Sequence, residues 1–482
     1  MKITIPVNHN FHENSPILES DLCDAFSLKK SGIKNIQNLF SSVYELKLGT
    51  EKSKNIKILS FKKRSYFEPD NERLILKLYS KDLPGTEKRY FIQTGLYAGT
   101  LYYKGCKINI TSKYGDSFLT RMLNFVNDIY IDNEQVKAKK DEHENQFLFI
   151  IAHLFIQAIE KAAILGLPQE YKRQQERTHK VRGTIDFNSY LKQDIPFQGK
   201  LTSIFKERCY VQEIIDVLYF TVKKLERYFG KEIHNRLLGI NQLLKQHYSG
   251  RHFTYETIKK AKAHKVISNS LYGRFKQVLE YAEIILLDKD LIPNDANSSM
   301  ETTGYLFDIA ELFELYIEKL LSRNFNDWSV NAQENIYLYQ NTFYKRSMFP
   351  DIVMKHRDSN KVAIFDAKFK NMEMYNNDVD RNDLHQIHSY IGYYHSEVIA
   401  GGLLYPLSRE IDTKKAHSDS LFGAMNNKIK FIIDGIYVNE KSSMAELIQK
   451  EEQFIERIKL ILDTNQTINQ ERTNTTPAGL RT

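Results

Sequence analysis

Cysteine and tryptophan are scarce in this chain: three cysteines and one tryptophan among 482 residues. Cys23, Cys106 and Cys209 stand far apart, an odd and sparse set that supplies neither a disulfide framework nor a zinc site and fits a reducing compartment. The opening MKITIPVNHN lacks the apolar core of a secretory signal, so a cytoplasmic chain is expected. The longest apolar run, Phe147 to Leu167, is interrupted by His153, Gln157, Glu160 and Lys161 and reads as a buried helix, not a membrane span. No G-x-x-x-x-G-K-(S/T) occurs, so the phosphate-cradling loop is missing and any nucleotide-driven motor has to come from another protein.

What is present is globular material: 42% hydrophobic and 27% charged residues, in a length that suits two or three domains. Net charge is only +8, but its distribution is uneven. Between Pro168 and Lys265 there are 20 Lys and Arg against 10 Asp and Glu, a surplus of ten in 98 residues. Such a zone suits phosphate contacts and equally suits solvated helix faces.

The periodicities predict a multidomain α+β or α/β protein. Residues 1–115 read as a β-rich domain: Glu72 to Ser80 alternates, and Lys88 to Gly115 holds three short runs punctuated by glycine. Ser31 to Tyr44 is ambiguous, with a helix as one option. Residues 116–290 read as a mainly helical, basic middle region. Helices are expected over Asp116 to Ile131, Asp141 to Leu165, within Lys200 to Phe229, and near Ile233 to His247 and Thr254 to Leu287. The basic stretch from Tyr171 is helix or strand, and Gly183 after Arg182 implies a tight turn or close backbone approach. The loop Asp290 to Gly304 has the make-up of a boundary, opening a module over 291–463. Ser443 to Leu462 reads as a charged helix. Residues 464–482 have almost no apolar side chains and are expected to be disordered.

The chemistry concentrates in Phe349 to Lys370, two short strands joined by a polar turn. In the second strand Val362, Ile364, Asp366 and Lys368 share one face, and Ala363, Phe365, Ala367 and Phe369 the other. A carboxylate and an ammonium therefore leave one face together. Pro350 suits the start of the first strand and brings Asp351 close to Asp366. Two carboxylates on adjacent strands suit Mg²⁺, which keeps waters and takes phosphate oxygens as further ligands. Such an ion lowers the pKa of bound water and offsets transition-state charge, with Lys368 placed to orient the water or stabilise that charge. The order Pro350-Asp351, fourteen residues, Asp366-Ala367-Lys368 resembles the PD-(D/E)xK nuclease motif.

Two neighbours extend the pattern. On the periodic helix from Tyr305 to Leu321, Glu311, Glu314 and Glu318 share a face. The resemblance implies that one of them completes the metal site, Glu314 first and Glu311 behind it; a solvent-facing acidic side is the alternative. Downstream, Gln386 and Tyr390 lie four apart on a second helix and resemble the QxxxY element of RecB-like nucleases, which borders the DNA and the active site. His385 and His388 have no third ligand at suitable spacing, so packing or surface roles are expected.

The likeness is wider than the motif. LFELYIEKLL, FPDIVM, FDAKFK and DLHQIHSY, with looser matches in TGLYAGTLYYKGCKINITSKYG and VRGTIDF, are similar to the McrC family of McrBC-type and LlaJI-type restriction systems over about Gln93 to Pro406. Thr184 stands where that family often has arginine, and Ser112 to Gly115 replaces its P-K-x-G. The resemblance implies a restriction-endonuclease-like C-terminal domain cutting double-stranded DNA with Mg²⁺, held by Asp351, Asp366 and Glu314. Asp351, Asp366, Lys368, Glu314, Gln386 and Tyr390 would form the site. It also implies docking on, and stimulation of, a McrB-like AAA+ GTPase hexamer, with no membrane partner. A non-catalytic adaptor of an AAA+ ring and a stand-alone RecB-like repair nuclease are the alternatives.

Overall fold

In the computed structural model, residues 2–9, 15–26, 33–59, 73–82, 87–127, 145–229, 235–287, 302–332, 334–339, 346–370, 379–394, 397–410, 418–420 and 429–473 are described. Residues 1–133 and 292–482 form one compact unit and 134–291 a second. The first unit therefore joins the β-rich segment read at 1–115 to the C-terminal module.

The first unit opens with β1 (Lys2–Pro6), β2 (Ile17–Leu18), α1 (Leu22–Ala25), α2 (Ile33–Leu39), β3 (Tyr44–Lys47), β4 (Ile56–Leu59), β5 (Leu74–Lys81), β6 (Arg89–Thr94), β7 (Tyr97–Tyr103), β8 (Cys106–Thr111) and α3 (Asp116–Asn127). The ambiguous stretch from Ser31 resolves into α2 followed by β3. The three runs from Lys88 become β6, β7 and β8. The β7–β8 hairpin turns through Lys104 and Gly105, both at positive φ (46° and 72°), as a two-residue turn matched to strand twist requires. One antiparallel sheet runs β2-β6-β5-β3.

The second unit comprises α4 (Asn145–Ala162), β9 (Gln169–Thr178), β10 (Thr184–Ile185), α5 (Phe187–Gln193), β11 (Leu201–Tyr210), α6 (Gln212–Phe229), α7 (Leu238–His247), α8 (Tyr255–Ala263) and α9 (Phe275–Leu287). The basic stretch from Tyr171 is strand: β9 pairs β11 over ten residues, and β10 adds to the other edge of β11. Gly183 sits at φ 79°, where a Cβ would meet the Ile204 carbonyl oxygen at 2.4 Å, the close approach its position implied. The stretch Thr254 to Leu287 is not one helix. It breaks between α8 and α9 because His264 Nδ1 accepts from Val266 N–H and Asn269 Oδ1 from Leu271 N–H, side chains competing with the helical ladder.

The chain re-enters the first unit at β12 (Thr303–Asp308), which lies between β7 (antiparallel) and β4 (parallel) in the sheet β1-β8-β7-β12-β4. Gly99 and Gly304 let β7 and β12 lie close, since a Cβ on either would meet a facing carbonyl oxygen at 2.2 Å. Asp308 then caps α10 (Ile309–Asn324) by accepting from Ala310 and Glu311 N–H. There follow β13 (Trp328–Ala332), β14 (Ile336–Leu338), β15 (Arg346–Met348), β16 (Ile352–His356), β17 (Val362–Ala367), α11 (Arg381–Tyr394), β18 (Val398–Leu407), β19 (Ser418–Ser420), β20 (Lys430–Tyr437) and α12 (Met444–Thr473).

The central sheet has the order β13-β16-β17-β18-β20-β19, with β17, β18 and β20 mutually parallel. Every residue of β17 is buried, as expected for a strand covered on both faces. α11 covers one face: Ile387, Tyr390 and Ile391 pack with Val362, Ile364, Leu403 and Tyr405. α10 meets the site strand through Phe313, whose ring lies 5.6 Å from that of Phe369. The C-terminal helix α12 is fastened by Arg457, which forks onto Asp434 of β20 (Nε to Oδ2 2.9 Å, Nη2 to Oδ1 2.8 Å). It runs past Leu462 to Thr473, into the stretch expected to be disordered; residues 474–482 lie outside the described residues. The boundary loop before residue 302 and the polar loop 371–378 also lie outside them.

Candidate active site

The antiparallel register of β16 on β17 pairs Ile352 with Phe365, which sets the preceding Asp351 beside Asp366. Asp351 Oδ2 accepts from Ala367 N–H at 3.1 Å, fixing the first carboxylate against the second strand. Lys368 prolongs the ladder beyond β17, its N–H donating to the Leu404 carbonyl at 2.8 Å. Its ammonium lies 2.7 Å from Asp366 Oδ2 and 3.9 Å from Asp351 Oδ2. The expected strands, turn and shared face are thus all present, and three of the predicted side chains meet.

Asp366 is fully buried. Lys368 pairs with it by charge, yet among the described residues neither carboxylate oxygen receives a hydrogen bond of good geometry. Buried carboxylates are otherwise satisfied almost without exception, because an unmatched one forfeits its hydration. Burial pushes the Lys368 ammonium toward neutrality, but Asp351 and Asp366 outweigh it and hold the group charged well above the usual lysine range.

α11 supplies the third side of the site. Its close seat depends on Gly401, where a Cβ would meet Ile391 Cδ1 at 2.7 Å. Gln386 Nε2 donates to Tyr390 Oη at 2.7 Å, and Tyr390 Oη donates to the Phe349 carbonyl at 3.3 Å. The two residues of the spaced pair therefore act as one unit that grips the backbone just before Pro350-Asp351. Burial pushes the Tyr390 phenol up to about 12; the Gln386 bond opposes this, and Asp366 and Asp351 add to it. His388 is a packing residue: Nδ1 bonds the Leu384 carbonyl at 2.7 Å and the ring stacks on Phe431. His385 lies against Arg381.

Glu311 is buried and Glu314 half-buried on α10. Among the described residues no three His, Cys, Asp or Glu side chains gather as a metal-holding group. The fold brings two carboxylates to Lys368, Asp351 and Asp366. Sequence reasoning passed over two further residues here. Lys370 lies 2.5 Å from Asp383 Oδ2 and 3.3 Å from Asp380 Oδ2. The available signal was spacing: Lys370 stands two beyond Lys368, and Asp383 lies seven before Tyr390, on one helical face.

A family model described as "McrBC 5-methylcytosine restriction system component" matches residues 92–406. The chain belongs to the McrBC family. Among solved structures, this McrBC-family chain is similar to a refined half-complex from a tetradecameric assembly of Thermococcus gammatolerans McrB AAA+ hexamers with bound McrC. The identity is 14% and the TM-score 0.51, over 95% of this chain and 100% of that one, a likeness of fold. A cryo-EM structure of the Thermococcus gammatolerans McrBC complex aligns at 16% identity and TM-score 0.30, over 67% and 88% of the two chains. No curated protein matches the sequence. No helix among the described residues is long and apolar enough to cross a membrane.

Proposed function

We propose that this McrBC-family chain is the nuclease subunit of a modification-dependent restriction system, its C-terminal module a PD-(D/E)xK domain that hydrolyses DNA phosphodiester bonds. The observation that carries this reading is Asp366: fully buried, without a well-formed hydrogen bond, and beside Asp351 and Lys368. Hard oxygen donors with spare lone pairs fit Mg²⁺, and Asp351 and Asp366 would hold it, with Glu314 on α10 as the third carboxylate carried over from the motif. Bound there, Mg²⁺ supplies an acidified water and charge compensation at the phosphoryl group.

The remaining steps belong to the chain. Lys368, beside both carboxylates, would donate hydrogen bonds to the attacking water or to the developing oxyanion. Tyr390, held by Gln386, fixes the Phe349 carbonyl and so the direction in which Asp351 enters. The basic surplus of the second unit suits DNA phosphates.

The chain has no phosphate-cradling loop, so the motor of such a system would be a separate protein, and we assign that part to a McrB-like AAA+ GTPase. Tyr171, Phe187, Leu191, Ile195 and Phe197 are all exposed in the second unit, apolar surface of the kind a protein partner covers. A nicking assay on supercoiled DNA, titrated with Mg²⁺ with and without the neighbouring AAA+ protein, tests the proposal. Metal-dependent cleavage that Asp366→Ala abolishes supports it. Stimulation of the partner's GTPase with no cleavage under any condition would instead make the chain an adaptor.

A further inference from the structure

We propose that Lys370 and Asp383 are positioning residues: their ion pair keeps Lys368 on Asp366 and sets the charge with which the site meets its cation. This rests on the nuclease reading above. Lys370 stands two beyond Lys368, in the bend that follows β17. Lys370 Nζ is 2.5 Å from Asp383 Oδ2 and 3.3 Å from Asp380 Oδ2, while Lys368 Nζ is 2.7 Å from Asp366 Oδ2. Two ammonium groups thus serve four carboxylates, Asp351, Asp366, Asp380 and Asp383, which leaves this side of the site net negative.

Asp383 is buried, in the first turn of α11. Its Oδ2 has no aligned hydrogen bond, so Lys370 satisfies it by charge alone. Burial, followed by the charge of Asp383, keeps the Tyr405 phenol protonated far beyond its usual range. Asp383 also acts on Lys368, since it is among the carboxylates that favour the charged form of that ammonium. With Lys370 gone, Asp383 would lose its 2.5 Å partner and would draw on the ammonium of Lys368, two residues before Lys370, leaving Asp366 to face the cation with less neutralisation. With Asp383 neutral, Lys370 would keep only Asp380, and the cluster would carry one negative charge fewer.

The two halves of the pair consequently act on cation affinity in opposite directions, whereas an ion pair that only braced α11 would loosen the site whichever half were removed. The test is Mn²⁺ binding to the full-length chain by titration calorimetry, with thermal unfolding of each variant as a check on folding and plasmid nicking as a second readout. Lys370→Gln is expected to tighten Mn²⁺ and Asp383→Asn to weaken it, each by roughly threefold to tenfold. Both slow cleavage, Lys370→Arg restores it, and the double variant returns Mn²⁺ affinity toward wild type.

Shifts in the same direction, or none, overturn the proposal. Should Asp383→Asn not fold, Lys370→Gln alone decides, because a bracing role predicts weaker binding and ours predicts tighter. Wild type that binds Mn²⁺ no better than Asp366→Ala would overturn the nuclease reading itself, and this inference with it.

Discussion

Two buried charge clusters in the first unit differ in how they are closed. Between α3, α10 and α12, Glu451 accepts Arg121 Nε at 2.6 Å and Nη2 at 2.5 Å on its two oxygens, and Tyr316 Oη at 2.5 Å. Both carboxylate oxygens are occupied, and the arginine is held in a planar fork. Between β16, β17 and α11, the equally buried Asp366 has a lysine beside it and, among the described residues, no well-formed hydrogen bond. A cluster that only holds helices together is saturated. On the reading proposed above, the second cluster is left incomplete for its cation, at a standing cost in stability that binding would offset.

The sharpest way to break that comparison is Asp366→Ala. Cleavage is expected to fall at least about 10³-fold, roughly 4 kcal/mol in barrier, in the Mg²⁺-titrated nicking assay. Thermal stability should change little, because Asp351 remains to pair with Lys368. Retained cutting by this variant would refute the site. The saturated cluster should behave in the opposite way. Glu451→Leu strands Arg121 and is expected to remove about 3–5 kcal/mol in urea denaturation. Adding Arg121→Met and Tyr316→Phe should restore most of it, whereas no such rescue exists for cleavage.

A buried group in the second unit extends the contrast to protons. His153 is buried, and burial first, then the Arg236 charge, lower its pKa to about 3. The unfolded chain takes up a proton near 6.5 that the folded chain refuses, so this contribution is complete above pH 6.5 and is lost as pH falls from there toward 3. Denaturation at pH 5 should show a deficit of about 2 kcal/mol relative to pH 7.5 that His153→Leu removes. The smallest effect is expected from Tyr390→Phe, which deletes one hydroxyl bridging Gln386 and the Phe349 carbonyl. It should cost about 1 kcal/mol in stability, measured by urea denaturation, and slow nicking several-fold.

The two strands around Asp351, Asp366 and Lys368 were legible because strand periodicity is short-range: a proline, an alternation and a polar turn suffice to place them. What escaped was mostly set by contacts between distant segments. The Lys370–Asp383 pair spans residues 371–378 and depends on where α11 docks, which no local spacing encodes. β18 was passed over because Gly401 and Gly402 depress its strand signal. In the fold they are openings, one for Ile391 and one for the Ile432 backbone, whose carbonyl oxygen would lie 1.8 Å from a Cβ. The break between α8 and α9 was hidden because apolar spacing persists on both sides, and the side chains that cut the ladder, His264 and Asn269, do so by bonds to their own neighbours.

The place of β12 has a practical corollary for anyone wishing to produce the C-terminal module by itself. A fragment starting at Thr303 would expose both long edges of that strand, one facing the absent β7 and one the absent β4. Such a product should aggregate through those open edges. The chain's two ends have to be made together, whereas excising 134–291 removes none of the strands that flank β12.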